Sequence, residues 1–118
     1  MFEMDRRIAF LRQQMSSDLQ KRWDVEELSK VVNLSQPHLL NLFKLHIGTS
    51  PIHYLRELRL ETARELLEIS FERVKEIRCK VGMPNAAHFA RDFKVKYGLT
   101  PTEYRKKVWQ EGELNKQK

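Results

Sequence analysis

Arg91 and Asn41 are the two side chains in this sequence best suited to reading a nucleobase. Arginine can fork onto the O6 and N7 of guanine, and asparagine pairs bidentately with adenine. Leu40, Ala86, Ala87 and Ala90 lie beside them in sequence and can touch thymine methyls; the alanines also let a backbone approach base edges closely. Lys44 and Lys94 suit phosphates, which position a protein without specifying sequence. All eight residues fall in or beside two versions of one pattern, SQPHLLNLFK at 35–44 and NAAHFARDFK at 85–94. Sliding the chain by fifty sets His38 on His88, Leu39 on Phe89, Phe43 on Phe93 and Lys44 on Lys94, then Gly48 on Gly98, Pro51 on Pro101 and Tyr54 on Tyr104. In one isolated helix such residues read as ordinary solvated side chains. Two matching faces at a fixed period make base contact the stronger reading. A solenoid needs three or more units, so two copies of one small helical unit is the better architecture.

Other chemistries find less support. The histidines His38, His46, His53 and His88 show no helical two-histidine spacing with a carboxylate or cysteine partner, which a zinc site wants, so no metal is expected. His38 and His88 fall on the flank of each repeat, where packing or phosphate contact is the expected role. Cys79, between Arg78 and Lys80, has no identifiable base and reads as no nucleophile. There is no Gly-rich phosphate loop, nucleophile elbow or paired-carboxylate signature, so neither cofactor nor enzyme activity is expected.

Bulk composition agrees with a polyanion partner. Twenty-two Lys and Arg against sixteen Asp and Glu leave +6 and a pI near 9.6, which suits nucleic acid or an anionic surface. A single cysteine excludes an internal disulfide and points to a reducing compartment. MFEMDRRIAF has scattered charges and does not read as a secretory signal, and no stretch approaches the roughly 20 apolar residues of a membrane span. A cytoplasmic protein is expected.

The elements that would carry these residues are all helical. Ile8, Leu11, Met15 and Leu19 predict a helix over about Asp5 to Arg22, which either packs on the body or leads out of an upstream domain. Asp24 with Glu27 forms a capping box, with Trp23 placed to staple onto Leu28, and opens a short helix to Val32. Asn33 suits a left-handed turn, and Ser35 with Pro37 starts the next helix. Helix, short turn, helix are the proportions of a helix-turn-helix, whose second helix can enter a major groove. On that helix Leu39, Leu42 and Phe43 share a core face, while Gln36, Pro37, Leu40, Asn41 and Lys44 share the opposite one. Ser50-Pro51 opens the longest helix, to about Ile69. At ~1.5 Å per residue it is about 28 Å long, enough to set two units roughly one DNA turn apart. Ser70 is expected to cap the next helix, with Ile69 and Val74 as its staple, ending at Gly82. Asn85 caps the second copy, with Ala86, Ala87, Ala90, Arg91 and Lys94 outward and Phe89 and Phe93 inward. Thr100 and Glu103 form another capping box before a last short helix, and the polar tail 110–118 is expected to be disordered.

The run from Trp23 to Arg105 resembles the DNA-binding domain of the AraC/XylS family of bacterial transcription regulators. The marks are Leu34-Ser35, Leu39 and Phe43-Lys44; Gly48, Ser50-Pro51, Tyr54-Leu55, Arg59-Leu60, Ala63 and Leu66-Leu67; then Val74, Ile77, Val81-Gly82, Phe89, Arg91, Phe93-Lys94, Gly98, Thr100-Pro101 and Tyr104-Arg105. The resemblance implies an all-α fold of about seven helices, two helix-turn-helix subdomains joined by a long central helix. It divides the chain into an N-terminal helix (1–22) that can be a linker from an upstream domain, the DNA-binding domain (23–109) and the tail (110–118). Within the domain it implies a first helix-turn-helix at 24–47, the linker helix at 51–69, a second helix-turn-helix at 71–97 and a last helix at 101–109.

Recognition helices at 36–46 and 86–96 would enter successive major grooves. The family's base-reading places fall on Gln36, Pro37, Leu40 and Asn41, and on Ala86, Ala87, Ala90 and Arg91. Ser35, His38 and Lys44, with Asn85, His88 and Lys94, are the matching phosphate candidates. Four departures stand out: Arg78 replaces the small residue usual after Ile77, Met83 the usual aromatic after Gly82, Pro84 occupies the turn, and Asn41 stands where a longer basic residue is frequent. The bulky Arg78 is expected to loosen the second unit. The implied function is sequence-specific binding of promoter DNA by a regulator that recruits RNA polymerase as an activator, or blocks it. The implied location is the bacterial nucleoid. Many members carry a sensor or dimerisation domain, usually upstream, so this chain reads as a C-terminal piece or as a stand-alone small regulator. The reading of a different class is a protein-interaction module that kept the fold without DNA binding.

Overall fold

A computed structural model describes residues 3–116. Among the described residues there are seven α-helices and no strand: α1 (Arg6–Ser17), α2 (Val25–Val31), α3 (Gln36–Ile47), α4 (Pro51–Ile69), α5 (Val74–Lys80), α6 (Ala86–Tyr97) and α7 (Pro101–Lys116). The chain divides into two compact units, Met1–Leu58 and Arg59–Lys118, and α4 runs from the first into the second.

The first unit is built on Ile8, Leu11, Met15, Trp23, Leu28, Leu39, Phe43 and Leu55, a single cluster drawn from all four of its helical segments. Burying a side chain such as Phe43 is worth ~1.5–3 kcal/mol over leaving it exposed. Leu42, on the core side by sequence, is half-buried against this cluster. The N-terminal helix α1 packs on the body: Ile8, Leu11 and Met15 are fully buried in the cluster. Residues 1 and 2 of that segment lie outside the described residues. The helix stops at Ser17, short of the expected Arg22. The Trp23 indole Nε1 donates to the Asp18 carbonyl at 2.9 Å, and the Lys21 amide to the same carbonyl at 3.3 Å. That carbonyl thus closes a turn instead of extending a helix. At the start of α2 only half of the capping box forms: Asp24 Oδ1 accepts from the Glu27 amide at 2.7 Å. The Glu27 carboxylate is taken by Lys21 at 2.6 Å.

In the second unit Leu60, Ala63, Leu67, Ile77, Val81, Phe89 and Phe93 are buried. Phe93 sits at the middle of an aromatic cluster, with ring centroids 5.9 Å from Phe89, 4.7 Å from Tyr97 and 5.6 Å from Tyr104. Two expectations fail here. Ser70 does not cap α5: its hydroxyl donates to the Leu66 carbonyl at 2.7 Å and accepts from the Glu72 amide, so it finishes α4. The N-cap of α5 is Arg73, which makes no side-chain cap bond, and Ile69 is 80% exposed, so no staple to Val74 exists. The helix therefore begins three residues later than the expected start at 71. At the other end, the Thr100–Glu103 box forms in both directions, amide to Glu103 Oε1 at 2.9 Å and amide to Thr100 Oγ1 at 3.2 Å. The helix it opens continues past Trp109 to Lys116, where a disordered tail was expected. Nothing between Gln110 and Lys116 breaks a helix outright, Gly112 costing only ~1 kcal/mol against alanine. Residues 117 and 118 of that tail lie outside the described residues.

Candidate nucleic-acid interface

Each unit presents a twelve-residue helix, α3 or α6, as the second helix of a helix-turn-helix. Both begin and end alike. Ser35 Oγ accepts from the His38 amide at 3.3 Å and Asn85 Oδ1 from the His88 amide at 2.9 Å. Gly48 and Gly98 close the helices in the left-handed region, at φ 94° and 81°. The turns before them also correspond. The Leu34 amide donates to the Ser29 carbonyl at 2.9 Å, and the Met83 amide to the Arg78 carbonyl at 2.7 Å. Asn33 (φ 56°) and Gly82 (φ 82°) supply the left-handed residue. Four residues, 32–35, separate α2 from α3, and five, 81–85, separate α5 from α6.

Leu39 and Phe43, and Phe89 and Phe93, are buried and fix which way each helix faces. On the other side Gln36, Pro37, Leu40, Asn41 and Lys44 are exposed on α3, and Ala86, Ala87, Arg91 and Lys94 on α6. Ala90 is half-buried, so it borders the outward face of α6 instead of standing on it. His38 and His88 are exposed on the helix flanks. Because the Ser35 and Asn85 oxygens are used as caps, what they retain for a phosphate is the serine O–H and the amide N–H2. Arg91 is exposed and its Nε lies 3.4 Å from Asp92 Oδ1, a contact too long and solvated to hold it against a better acceptor.

Sequence reasoning missed one group and misread another. Leu45 and Val95 are exposed one turn beyond Asn41 and Arg91, extending both outward faces with apolar surface. Their fifty-residue spacing was the available signal. The other is Arg78. It does not loosen the second unit; its Nη1 donates to the Pro84 carbonyl, strapping α5 to the turn before α6. Its counterpart is Ser29, buried, whose hydroxyl donates to the Glu26 carbonyl at 2.7 Å.

Charge is divided unequally. The first unit has eight Lys and Arg against seven Asp and Glu, net +1; the second has fourteen against nine, net +5. The first helix of such a motif crosses the DNA backbone. There α2 carries Glu26 and Glu27 with Lys30, net −1, whereas α5 carries Lys75, Arg78 and Lys80 with Glu76, net +2. Among the described residues no cluster of three His, Cys, Asp or Glu side chains is placed to hold a metal, and no helix is long and apolar enough to cross a membrane.

A family model described as "Helix-turn-helix domain" matches residues 28–107. The chain belongs to the AraC-type helix-turn-helix family. An uncharacterised HTH-type transcriptional regulator of Haemophilus influenzae is 38% identical over 89 residues, 75% of this chain and 30% of its own length. The chain spans about a third of the length of the curated relatives it matches. The C-terminal domain of AraT, a response regulator from Geobacillus stearothermophilus, superposes with a TM-score of 0.82 at 28% identity, covering 90% of this chain and 88% of that one. The DNA-binding domain of the global transcriptional factor AdpA, solved in complex with a target DNA, gives 0.81 at 25% identity, covering 86% and 91%. The AraC-type domain is a sequence-specific DNA-binding module of transcription regulators, and this chain has its two helix-turn-helix units.

Proposed function

We propose that this AraC-type domain reads promoter DNA through both units, with α3 and α6 each entering a major groove. Gln36, Pro37, Leu40 and Asn41 meet base edges from α3, and Ala86, Ala87, Ala90 and Arg91 from α6. Lys44, Lys94, Ser35, Asn85, His38 and His88 hold the flanking phosphates. The observation that carries this reading is the twofold occurrence of one exposed face, each on a helix held by the same cap, turn bond and glycine stop. A module kept only for protein contact has no need of two equivalent faces.

The domain acts within a regulator that contacts RNA polymerase at the promoter and is carried on the nucleoid through its DNA. Its relatives' greater length supports a further sensor or dimerisation domain in the full protein.

Selection of binding sites from a random DNA pool tests the reading directly. Two separate blocks of preferred bases are expected, and affinity should fall steeply with salt, each neutralised phosphate adding about −0.9 to the log–log slope. Failure to enrich any sequence, or binding that ignores salt, would return the domain to the class of protein-interaction modules.

A further inference from the structure

The tenth residue of each recognition helix is aliphatic and open to solvent. Leu45 is 66% exposed and Val95 83%. A single surface Leu or Val needs no explanation. These two stand fifty residues apart, at matching places in helices whose neighbouring positions differ, Leu40 against Ala90 and Asn41 against Arg91. Helical phase says what they face. At about 100° per residue, buried Leu39 and Phe43 lie about 160° to either side of Asn41, and buried Phe89 and Phe93 do the same around Arg91. Asn41 and Arg91 therefore mark the line opposite the core. Leu45 and Val95 stand about 40° from that line and ~6 Å further along the axis. Leu40 and Ala90 stand about 100° from it, and Ala90 is half-buried. Leu45 and Val95 thus point away from the fold more directly than two of the residues assigned to base contact.

We infer that Leu45 and Val95 are base-reading residues, each seated against the 5-methyl group of a thymine one helical turn beyond the base met by Asn41 or Arg91. The inference rests on the proposal that α3 and α6 enter major grooves. Continuity with that surface names the occupant, and charge agrees with it. Helix α3 carries no acidic residue, and α6 carries only Asp92, which is half-buried beside Arg91. Lys44 and Lys94 stand about 60° to the other side of the outward line, so each aliphatic residue shares its face with a cation suited to phosphate. What an aliphatic side chain can read on a base edge is the thymine methyl, the apolar group of the major groove. An advance of ~6 Å along the helix is close to two base-pair steps of ~3.4 Å, which sets the expected spacing between the two bases read.

Uracil, which is thymine without its methyl, tests this. In a site selected from the random DNA pool, each thymine is replaced in turn by uracil, and binding is titrated with the parent domain, Leu45→Ala and Val95→Ala. The parent should lose about fourfold in affinity at one thymine in each block, the worth of one buried methyl. Leu45→Ala should erase that sensitivity in one block and Val95→Ala in the other. Lys44→Ala, by contrast, should weaken the thymine and uracil sites alike. Both aliphatic side chains stand outside the core, so the two variants are expected to keep the parent Tm. Blocks that lack thymine, uracil sensitivity that survives both substitutions, or a loss equal at every position would overturn the inference. So would unchanged DNA binding by both variants, which would leave the two residues to a protein partner. A pool that yields no site at all would overturn the proposed function itself, a result distinct from each of these.

Discussion

The two helix-turn-helix units share a plan and differ in turn and charge. Both cap the recognition helix with a short polar side chain, bond the turn through one amide, and stop at a left-handed glycine. The first unit reaches its turn with a buried Ser29, carries acids on α2, and exposes proline, leucine and an amide. The second inserts a residue in the turn, spans the insertion with Arg78, carries cations on α5, and exposes alanines with one arginine. An extra turn residue brings an extra carbonyl, that of Pro84, and a long cation can satisfy it where serine cannot reach. In this chain the Arg78 guanidinium and the longer turn thus meet in one bond.

The largest effect tests that pairing in reverse. Ser29→Arg would force a cation into a site that is 5% exposed and lacks the longer turn; ~3 kcal/mol or more of destabilisation is expected from overpacking and an unpaired buried charge. Denaturant unfolding measures it. A loss below ~1 kcal/mol would mean the first unit's turn already accepts a strap. Arg91→Ala comes next: a cost of ~1–3 kcal/mol in DNA affinity, with preference relaxed at one base position. Asn41→Ala should cost less, because an uncharged amide offers weaker hydrogen bonds than a guanidinium. A uniform loss across all sequences would demote Arg91 to a phosphate contact, and a larger loss from Asn41→Ala would invert the ranking of the units. Arg78→Ser should cost ~1 kcal/mol, below the ~1.5–3 kcal/mol of a well-buried charge-assisted bond because the side chain is partly exposed. Amide exchange is expected to quicken at 85–88 and to stay unchanged at 35–38. Quickening in both turns would show that the strap is not local.

Much of this comparison was legible in the sequence, and the failures have a common origin. Periodicity located α3, α4 and α6 within a residue or so, because buried Leu39 and Phe43, Leu55, Leu60 and Leu67, and Phe89 and Phe93 dominate local preference. The outward faces followed from the same periodicity. What went wrong depended on competition for a single group. Ser70 looks like a cap, yet its hydroxyl was already engaged at the end of α4. Glu27 looks like the second half of a box, yet Lys21 takes it. Helix α1 stops early because the indole of Trp23 reaches the Asp18 carbonyl. Arg78 was read by size alone, and only the position of the Pro84 carbonyl reveals what its length is for. The Phe71–Trp109 pair joins the loop after α4 to α7, far apart in sequence, and has no signature at short range.

The smallest expected effect separates the units by acid. In the first, hydrogen bonds from the Arg7 side chain hold the Asp5 carboxyl down at about 2, against an ordinary value of 3.8. In the second, the Thr100 amide and hydroxyl hold Glu103 below its ordinary 4.5. Both shifts are depressions, so each group stabilises the fold above its unfolded value and loses that contribution as pH falls through its folded one. Glu103 belongs to a cap on α7 and Asp5 to a cap on α1, so acid should weaken the second unit's cap first, as pH drops below 4.5, and the first unit's only between 3.8 and about 2. Melting curves across that range read it out. Glu103→Gln should flatten the upper part of the acid limb and Asp5→Asn the lower part, each by a small shift in Tm. If Asp5→Asn instead flattens the upper part, the Arg7 bonds do not hold its carboxyl as described, and the cap of α1 belongs with that of α7 in strength.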